Sequence, residues 1–159
     1  MILDLKIRPY EGKTDREQLV LLGLPTKYIN QYTNSPPVFS TLKALGICTN
    51  FLYLMSASAN SSIAPKIIGT ILLRKRLTGF LMADTWKIHS VFVLPEWRGR
   101  GLAIELLNYV FQKLREMGVH EVTLKVDQTN ESAVRLYEKC GFVKKAEMNE
   151  QIVFVKTVV

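Results

Sequence analysis

The 159 residues are enough for one domain with an adequate core, and we predict a single domain over residues 1–159. Apolar residues at 48% and charged residues at 22% are typical of a soluble globular protein, and no apolar run is long enough to cross a bilayer. Asp4 and Lys6 interrupt the apolar start, which excludes a secretory signal, and a cytoplasmic location is predicted. The net charge of +7, from 21 basic and 14 acidic residues, fits either a solvated basic surface or an anionic ligand.

The cysteines and histidines do not form a metal-binding pattern. Cys48 and Cys140 lie far apart in the sequence, and His89 and His120 make no close pair with them, so no metal site is predicted. Two free thiols that act as small packing residues are favoured over a disulfide. A nucleic-acid partner is not favoured either, because the sequence has no zinc or helix-turn-helix signature and no interleaving of aromatic and basic residues.

Six elements are predicted in the first half of the chain, where the signals are short. Strands are expected over residues 3–9, 51–56 and 66–74, and helical segments over residues 16–22, 25–32 and 41–45. Asp15 is expected to cap the first helix and Gly23 to end it. The two later strands are predicted to form a hairpin around the polar loop 57–62, and Gly79 and Asp84 to mark a further turn.

The second half of the chain has a stronger periodicity. Strands are expected over residues 86–94, 120–126, 142–148 and 152–158, and helices over residues 101–117 and 129–140. The first of these helices carries a one-sided apolar stripe, which is typical of a helix lying on a sheet. Gly118 is expected to end it, and Thr129 or Asn130 to cap the next helix. Asn149-Glu150 suits the turn of a last hairpin, and the whole order predicts an α+β sheet with helices packed on it.

The stretch 91–103 predicts an anion site, since a buried strand leads through a turn into the glycine-rich start of the long helix. Backbone amides at a helix start lack partners and the helix dipole adds partial positive charge, so this end suits a phosphate or pyrophosphate. Gly99 and Gly101 would let the ligand approach the main chain. Arg98 and Arg100 add positive charge and forked donors.

Two common nucleotide-binding motifs do not fit this stretch. A dinucleotide fold needs a third spaced glycine and, at the expected distance of about 20 residues, an acidic residue that ends a following strand, and neither is present. The phosphate loop of nucleoside triphosphatases needs a lysine that is also missing. The anion is therefore held in another kind of fold.

Two segments resemble the motifs of the GNAT N-acetyltransferases. The first, which is similar to the acetyl-CoA-binding signature of that family, is Val93-x-Pro95-x-x-Arg98-Gly99-x-Gly101-x-Ala103. The second, which is similar to the other hallmark, contains Asn130, Ala133, Leu136-Tyr137 and Gly141-Phe142. Together they cover about residues 86–145. The resemblance implies a central mixed, mostly antiparallel sheet of six to seven strands with helices on both faces, and an N-acetyltransferase that uses acetyl-CoA.

The resemblance also implies a cofactor site. Main-chain amides of residues 98–103 would hold the CoA pyrophosphate, and the backbone of residues 92–94 would pair with the pantetheine arm. Asn130 would hydrogen-bond the pantetheine, serve as a plain helix cap, or do both. The implied cofactor-binding residues are Phe92, Val93, Leu94, Arg98, Gly99, Arg100, Gly101, Leu102, Ala103, Asn130, Ala133 and Tyr137.

Tyr137 is the first of two candidate catalytic residues. The resemblance places its hydroxyl near the thioester sulfur, where a phenol with a pKa of about 10 can protonate the thiolate that leaves. An aromatic anchor in the core is the alternative role. The amide N–H of Val93 or Leu94 would stabilise the oxyanion that forms when the amine attacks.

His89 is the second candidate, as the general base. Some family members carry a carboxylate on the central strand or on the strand after the long helix, but Lys87, His89 and Lys125 stand there in this chain. The charge of a histidine changes near neutral pH, and regular alternation would put His89 on the same strand face as Val91. A packed or exposed histidine without a catalytic role, Asp84, and a water relay remain alternatives.

Three functions are compared. An acetyltransferase leads, a CoA-binding sensor without turnover comes second, and a basic nucleic-acid-binding module comes third. The expected partners are acetyl-CoA and an amine acceptor, either a small molecule or a protein; a homodimer stays open, and no membrane is expected.

The acceptor is not specified by the sequence. It would be selected by residues 23–50, where Tyr28, Tyr32 and Phe39 are candidate lining residues, and by the turn 149–151. Two charge clusters are interpreted as solvated faces that could also meet the 3′-phosphate of CoA or an acidic acceptor: Arg74-Lys75-Arg76 and Lys144-Lys145.

Overall fold

The computed structural model describes residues 4–11, 13–21, 48–58, 65–78 and 83–158. In these parts of the chain the helices are α1 Lys13–Leu21, α2 Leu102–Glu116 and α3 Glu131–Lys139. The strands are β1 Asp4–Pro9, β2 Cys48–Ser58, β3 Lys66–Thr78, β4 Ala83–Val93, β5 Glu121–Asp127, β6 Val143–Met148 and β7 Gln151–Thr157. A short 3-10 turn, Pro95–Trp97, lies between β4 and α2. The helical segments predicted over residues 25–32 and 41–45 lie outside the described residues.

The described strands form one mixed sheet in the order β1-β2-β3-β4-β5-β7-β6. Every neighbouring pair is antiparallel except β4 and β5, which run parallel. The predicted sheet of six to seven mostly antiparallel strands is confirmed. The predicted turn at Asn149-Glu150 is confirmed as well, because both residues have positive φ angles, 49° and 63°, as the tight hairpin turns of right-twisted strands require.

The parallel pair β4–β5 separates along its length. The parallel register joins Lys87 to Thr123 and Ile88 to Leu124, and it contains no later pair. Both strands nevertheless continue, β4 to Val93 and β5 to Asp127. A gap therefore opens in the middle of the sheet after Ile88, and we call this gap the fork.

A β-bulge marks the start of the fork. On the β3 side, Leu73 is opposite Ile88 and Leu72 is opposite Ser90, so His89 is an extra residue in β4. A bulge bends its strand and increases the local twist. This bend turns β4 away from β5, which explains why the pairing ends at this point.

Two apolar clusters cover the two faces of the sheet. The larger cluster contains Leu106, Leu107 and Val110 of α2 together with Tyr137 of α3. The smaller cluster contains Leu19 of α1, packed with the strand residues Leu52, Leu54, Ile67 and Leu72. On β2 these residues alternate with Tyr53 and Met55 of the larger cluster, so the clusters lie on opposite faces. Helices therefore pack on both faces, as expected.

Asp15 does not cap α1, contrary to the prediction. The helix begins at Lys13, three residues earlier than predicted, and Asp15 lies in its first turn. Its side chain is buried, with 3% exposed, and accepts hydrogen bonds from Arg8 Nη1 at 2.7 Å and from the backbone N–H of Glu11 at 2.7 Å. The carboxylate therefore ties β1 to α1, and its burial could not be anticipated from the local helix-start pattern.

Several boundaries also differ from the predictions. Ala57 and Ser58 belong to β2 and not to a loop, and β3 continues to Thr78. Asp84 lies within β4 and does not mark a turn, because the antiparallel ladder with β3 extends to Ala83. Gly23 and Gly79 lie outside the described residues. None of the described helices is both long and apolar enough to cross a membrane.

Candidate cofactor cleft and active site

The start of α2 has the backbone geometry that an anion site requires. Gly99 and Gly101 have φ angles of 76° and 79°, in the left-handed region that favours glycine. A Cβ added to either residue would meet no atom within 4 Å, so this side of the loop faces open space. Gly101 is the N-cap and offers no side-chain hydrogen bond to the amides of the first turn. These amides are therefore free to point at an anion, together with the positive end of the helix dipole.

The two arginines of this loop make contacts within the loop itself. Arg98 Nε donates to the carbonyl oxygen of Val93 at 3.0 Å. Arg100 Nη2 donates to the carbonyl oxygen of Glu96 at 3.3 Å, and its guanidinium lies 5.0 Å from the ring centroid of Trp97. Both arginines thus fix the turn between β4 and α2 while they keep positive charge beside the open amides.

The backbone of β4 divides its hydrogen bonds between β3 and the fork. The N–H of Leu94 donates to the carbonyl oxygen of Ile68 at 2.9 Å, and Thr70 is opposite Phe92. Because hydrogen-bonded residues alternate along an antiparallel ladder, Phe92 and Leu94 direct their backbone groups to β3, and Val91 and Val93 direct theirs into the fork.

The directions of these backbone groups change two expectations. Leu94 cannot offer its amide to an oxyanion, because Ile68 already accepts that hydrogen. Phe92 is turned to β3 as well, so a pantetheine arm along β4 would meet the backbone of Val91 and Val93. Val91 was missed, and the signal that could have found it is the period of two counted back from Val93.

Asn130 is the N-cap of α3, as predicted. Its Oδ1 accepts from the backbone N–H of Ala133 at 3.2 Å and from Ser132 Oγ at 3.0 Å. The oxygen is therefore occupied by the helix start, while the two N–H donors of the same carboxamide point away from it. Asn130 can cap the helix and still donate to a ligand in the cleft.

Tyr137 is both a core residue and a cleft residue. It is 8% exposed, and its ring meets the ring of Phe142 edge-on with centroids 5.7 Å apart. Burial, with a smaller contribution from Cys140, raises the pKa of Tyr137 to about 12. The phenol therefore stays protonated throughout the neutral and mildly alkaline range, as a general acid must.

Two adjoining clefts bring these parts together, each with a volume of about 330 Å³, within the range of small-molecule sites. The first lies at the α2 start and is lined by Val93, Trp97, Arg98, Gly99, Gly101, Leu102, Ala103, Ile104, Arg135, Leu136 and Lys139. The second lies at the fork and is lined by Val91, Phe92, Val93, Arg98, Ala103, Asn130, Ser132, Ala133, Leu136 and Tyr137. Residues from the two separate motifs therefore form one continuous surface.

Most of the predicted site residues line these clefts, and a few do not. Leu94, Arg100 and His89 are not among the lining residues. The structure adds Arg135 and Lys139 of α3, which place two further cations opposite the α2 start. The sequence signal that could have found both residues is their spacing of four, which puts them on one face of the helix.

His89 lies at the bulge, where regular alternation fails. Ile88 belongs to the larger apolar cluster and so do Val91 and Val93, although an unbroken strand would put residues 88 and 91 on opposite faces. The argument that placed His89 on the face of Val91 therefore does not carry across the bulge. His89 is half-buried at the opening of the fork, and its role as a base stays a prediction.

Comparison with known proteins identifies the family of this chain. The model of the acetyltransferase (GNAT) family matches residues 34–142 of this chain. This match covers more than half of the chain, and the chain belongs to the GNAT acetyltransferase family. Among the described residues, no cluster of three His, Cys, Asp or Glu side chains could hold a metal ion.

Individual relatives are similar over shorter stretches. The L-amino acid N-acyltransferase MnaT of Escherichia coli is 33% identical, over 45% of this chain and 47% of that protein. The N-alpha-acetyltransferase MAK3 of Arabidopsis thaliana is 37% identical, over 36% of this chain and 30% of that protein. The chain thus spans at most about half the length of the curated relatives that it matches.

Solved structures show the same fold. Arabidopsis thaliana NAA60 in complex with acetyl-CoA has a TM-score of 0.70 and 15% identity, and the match covers 98% of this chain and 99% of that one. The PaiA N-acetyltransferase of Thermoplasma acidophilum in complex with coenzyme A has a TM-score of 0.66 and 16% identity, over 97% and 99%. At these identities the likeness concerns the fold alone.

Proposed function

We propose that this protein is an acetyl-CoA-dependent N-acetyltransferase that transfers the acetyl group directly to a primary amine. The observation that carries the proposal is the continuity of the two clefts, which connects the open α2 start to the fork and to Tyr137. An anion site next to an apolar, backbone-lined slot matches the chemistry of CoA, in which a pyrophosphate carries a thin pantetheine arm.

The α2 start would hold the pyrophosphate. The amides of the loop 99–103 supply donors, and Arg98 and Arg100 supply charge close to them. Arg135 and Lys139 would add attraction from the facing helix. This division fits the observed contacts, in which the arginines hold the loop in shape and the main chain remains open.

The fork would hold the pantetheine arm. The backbone groups of Val91 and Val93 face the gap, so they can pair with the amides of the arm as a missing strand would. Asn130 would donate its carboxamide hydrogens from the opposite side. The thioester would then lie near Tyr137, at the inner end of the slot.

The reaction is a nucleophilic acyl substitution in a ternary complex. The neutral amine attacks the thioester carbonyl, a C–N bond forms, and the oxyanion accepts a hydrogen bond from a backbone N–H of β4 that faces the fork. The tetrahedral intermediate collapses, the C–S bond breaks, and the Tyr137 hydroxyl protonates the thiolate. The amine loses one proton, which a base such as His89 or a water relay would carry to solvent, and the Tyr137 phenolate regains a proton from solvent.

A pair of glycine variants tests the cofactor site. Gly101 and Gly118 stand at opposite ends of α2, both have positive φ, and a methyl group added to either would meet no atom within 4 Å. Alanine at either position should therefore cost about 1 kcal/mol of folding free energy. Only Gly101→Ala adds a methyl group where the main chain meets the pyrophosphate, so it alone should weaken acetyl-CoA binding, by about tenfold or more.

Calorimetric titration with acetyl-CoA, combined with thermal unfolding, would measure both effects. Equal affinities in the two variants would show that the α2 start does not bind the pyrophosphate. Tight binding of acetyl-CoA without release of thiol for any amine tested would instead support a CoA sensor that lacks turnover.

A further inference from the structure

Two cations of α3 line the first cleft on the side away from the fork. Arg135 and Lys139 contribute to the surface around the α2 start and line no part of the fork cleft. Nearer the beginning of α3, Asn130 and Ala133 line the fork cleft alone, whereas Leu136 lines both clefts. Six residues separate Ala133 from Lys139, which is about 9 Å along a helix axis. The lining surface of α3 therefore changes from neutral to cationic with distance from the fork.

The first cleft has positive charge and no carboxylate in its described lining. The cations are Arg98, Arg135 and Lys139, and no Asp or Glu lies among the lining residues. Arg135 forms an ion pair with Glu131 at 3.0 Å, but the two side chains are 69% and 76% exposed, so this contact is weak and easily exchanged. Lys139 makes no hydrogen bond or ion pair with any described residue. Lys139 is therefore the cation of this cleft that is most available to a ligand.

The two charge clusters that the sequence offered for the 3′-phosphate of CoA lie elsewhere. Residues 74–76 belong to β3 and residues 144–145 to β6, and none of them lines either cleft. Residues 144 and 145 also form ion pairs within the chain, with Glu147 and Glu121 respectively. The cations that accompany the cofactor clefts are those of the α2 start and of α3.

The order of the chemical groups in CoA matches the order of these lining residues. The pyrophosphate joins the pantetheine arm to adenosine, and the ribose of the adenosine carries a further phosphate on its 3′ oxygen. With the thioester near Tyr137 and the pyrophosphate at the α2 start, the ribose lies beyond the pyrophosphate, on the side away from the fork. A monoester phosphate carries close to two negative charges at neutral pH. It would therefore meet the end of α3 where Arg135 and Lys139 lie.

Resting on the proposed N-acetyltransferase function, we propose that Lys139, assisted by Arg135, binds the 3′-phosphate of CoA and selects acetyl-CoA over its 3′-dephospho form. A lysine ammonium is a compact charge with three donors on a flexible stem, which suits a monoester phosphate at an exposed site. The pyrophosphate is assigned to the open amides of the α2 start, so it contributes equally to the binding of both forms. The selection between them depends on the side chains of α3 and not on the glycine loop.

The test measures the dissociation constants of acetyl-CoA and of 3′-dephospho-acetyl-CoA by calorimetric titration at low salt. The unaltered protein should bind the dephospho form about tenfold more weakly, because a charge-assisted contact to the phosphate is lost. Lys139→Gln should reduce this ratio to about threefold or less, by weakening acetyl-CoA while the dephospho form changes little. Arg135→Gln should act in the same direction by a smaller amount. The ratio should also shrink at high salt.

Arg115→Gln is the control, because it removes one positive charge from an exposed site about 20 Å along α2 from the helix start. This variant should keep the ratio of about tenfold. A ratio that falls as much in Arg115→Gln as in Lys139→Gln would overturn the inference, since net charge alone would then set the preference.

Two further outcomes would overturn the inference while leaving acetyl-CoA binding in place. One is equal affinity of the unaltered protein for the two forms of the cofactor. The other is an equal weakening of both forms by Lys139→Gln, which would place the lysine at the pyrophosphate. Failure of the unaltered protein to bind either form would instead contradict the proposed function.

Discussion

The two sides of the fork present different chemical groups. On the α2 side, backbone groups of Val91, Val93 and the loop 99–103 face the clefts, and the side chains of that loop mainly hold its shape. On the opposite side, the sheet presents the cationic side chains of Arg74, Arg76, Lys87 and Lys125. One side presents main-chain groups, and the other presents a few cationic side chains, two of them half-buried.

This difference indicates which part of the molecule can vary. A site made of main-chain donors needs glycine at positions with positive φ and a strand that separates from the neighbouring strand. Few residue types are therefore compatible with such a site. A site made of side chains on a sheet face can change with any single substitution at Arg76, Lys87 or Lys125.

Tyr137→Phe should produce the largest effect on the α2 side. Loss of a positioned general acid typically lowers a rate by a factor of about 100 or more, so kcat for thiol release should fall by that amount while acetyl-CoA affinity changes little. The matched control is Tyr109→Phe on α2. The ring centroid of Tyr109 lies 5.3 Å from that of Tyr53, and Tyr109 does not line the clefts. Turnover in Tyr137→Phe equal to that of Tyr109→Phe would remove the phenol from the mechanism.

The pH dependence of turnover adds a second test of Tyr137. Because burial raises the pKa of Tyr137 to about 12, the acid form persists up to that pH and is lost only above it. A thiol has a reference pKa of about 8.5, but the same apolar surroundings raise the pKa of a buried thiol, as they do for Cys140. Tyr137 should therefore stay protonated between pH 7 and 10, and the rate should not fall in this range through loss of the general acid. A rate that falls with an apparent pKa of about 8 would mean that another group protonates the thiolate.

Much of the α2 side could be predicted from the sequence because its signals are local. The helix-start glycines, the cap at Asn130 and the Asn149-Glu150 turn each depend on a few neighbouring residues, and the structure has all three. Their assembly into one site followed from the resemblance, which placed the two motifs side by side.

The rest could not be predicted, because it depends on register between distant strands. The bulge at His89 is defined by its partners on β3, and it reverses which residues of β4 face the core. The engagement of Leu94 by Ile68 and the grouping of Lys87 with Lys125 likewise need the sheet order. Periodicity within one segment carries no information about these pairings.

Asp15→Asn should destabilise the protein without touching either side of the fork. Removing one charge of a buried ion pair costs about 3–5 kcal/mol when both partners are buried, and since Arg8 keeps 27% of its side chain exposed we expect about 2 kcal/mol. Urea unfolding would measure this loss, and acetyl-CoA affinity should not change. Glu17→Gln on the exposed face of α1 is the control with the same chemical change.

The sign of the pH dependence follows from the same ion pair. The hydrogen bond from Arg8 holds the pKa of Asp15 below its usual value, so the unfolded chain takes up the proton first as the pH falls. The stabilisation is present above the unfolded pKa of about 3.9 and is lost as the pH falls through the folded value. The difference in stability between the wild type and Asp15→Asn should therefore be full near neutral pH and shrink in acid; a difference that stays constant down to the acid limit would contradict the role of the carboxylate charge.

Arg98→Lys should have the smallest of these effects, and it separates the charge of the α2 start from its shape. Lysine keeps the positive charge but loses the guanidinium Nε that donates to the Val93 carbonyl, the contact that joins the fork to the loop. A hydrogen bond to a charged donor contributes about 1.5 kcal/mol, so acetyl-CoA affinity should fall by about tenfold. Arg100→Lys loses only an exposed contact to the Glu96 carbonyl. Its affinity for acetyl-CoA should therefore fall by less than about threefold. Equal losses in the two variants would mean that charge alone matters at this loop, whereas the expected inequality would mean that the arginines act mainly by holding the main chain open for its ligand.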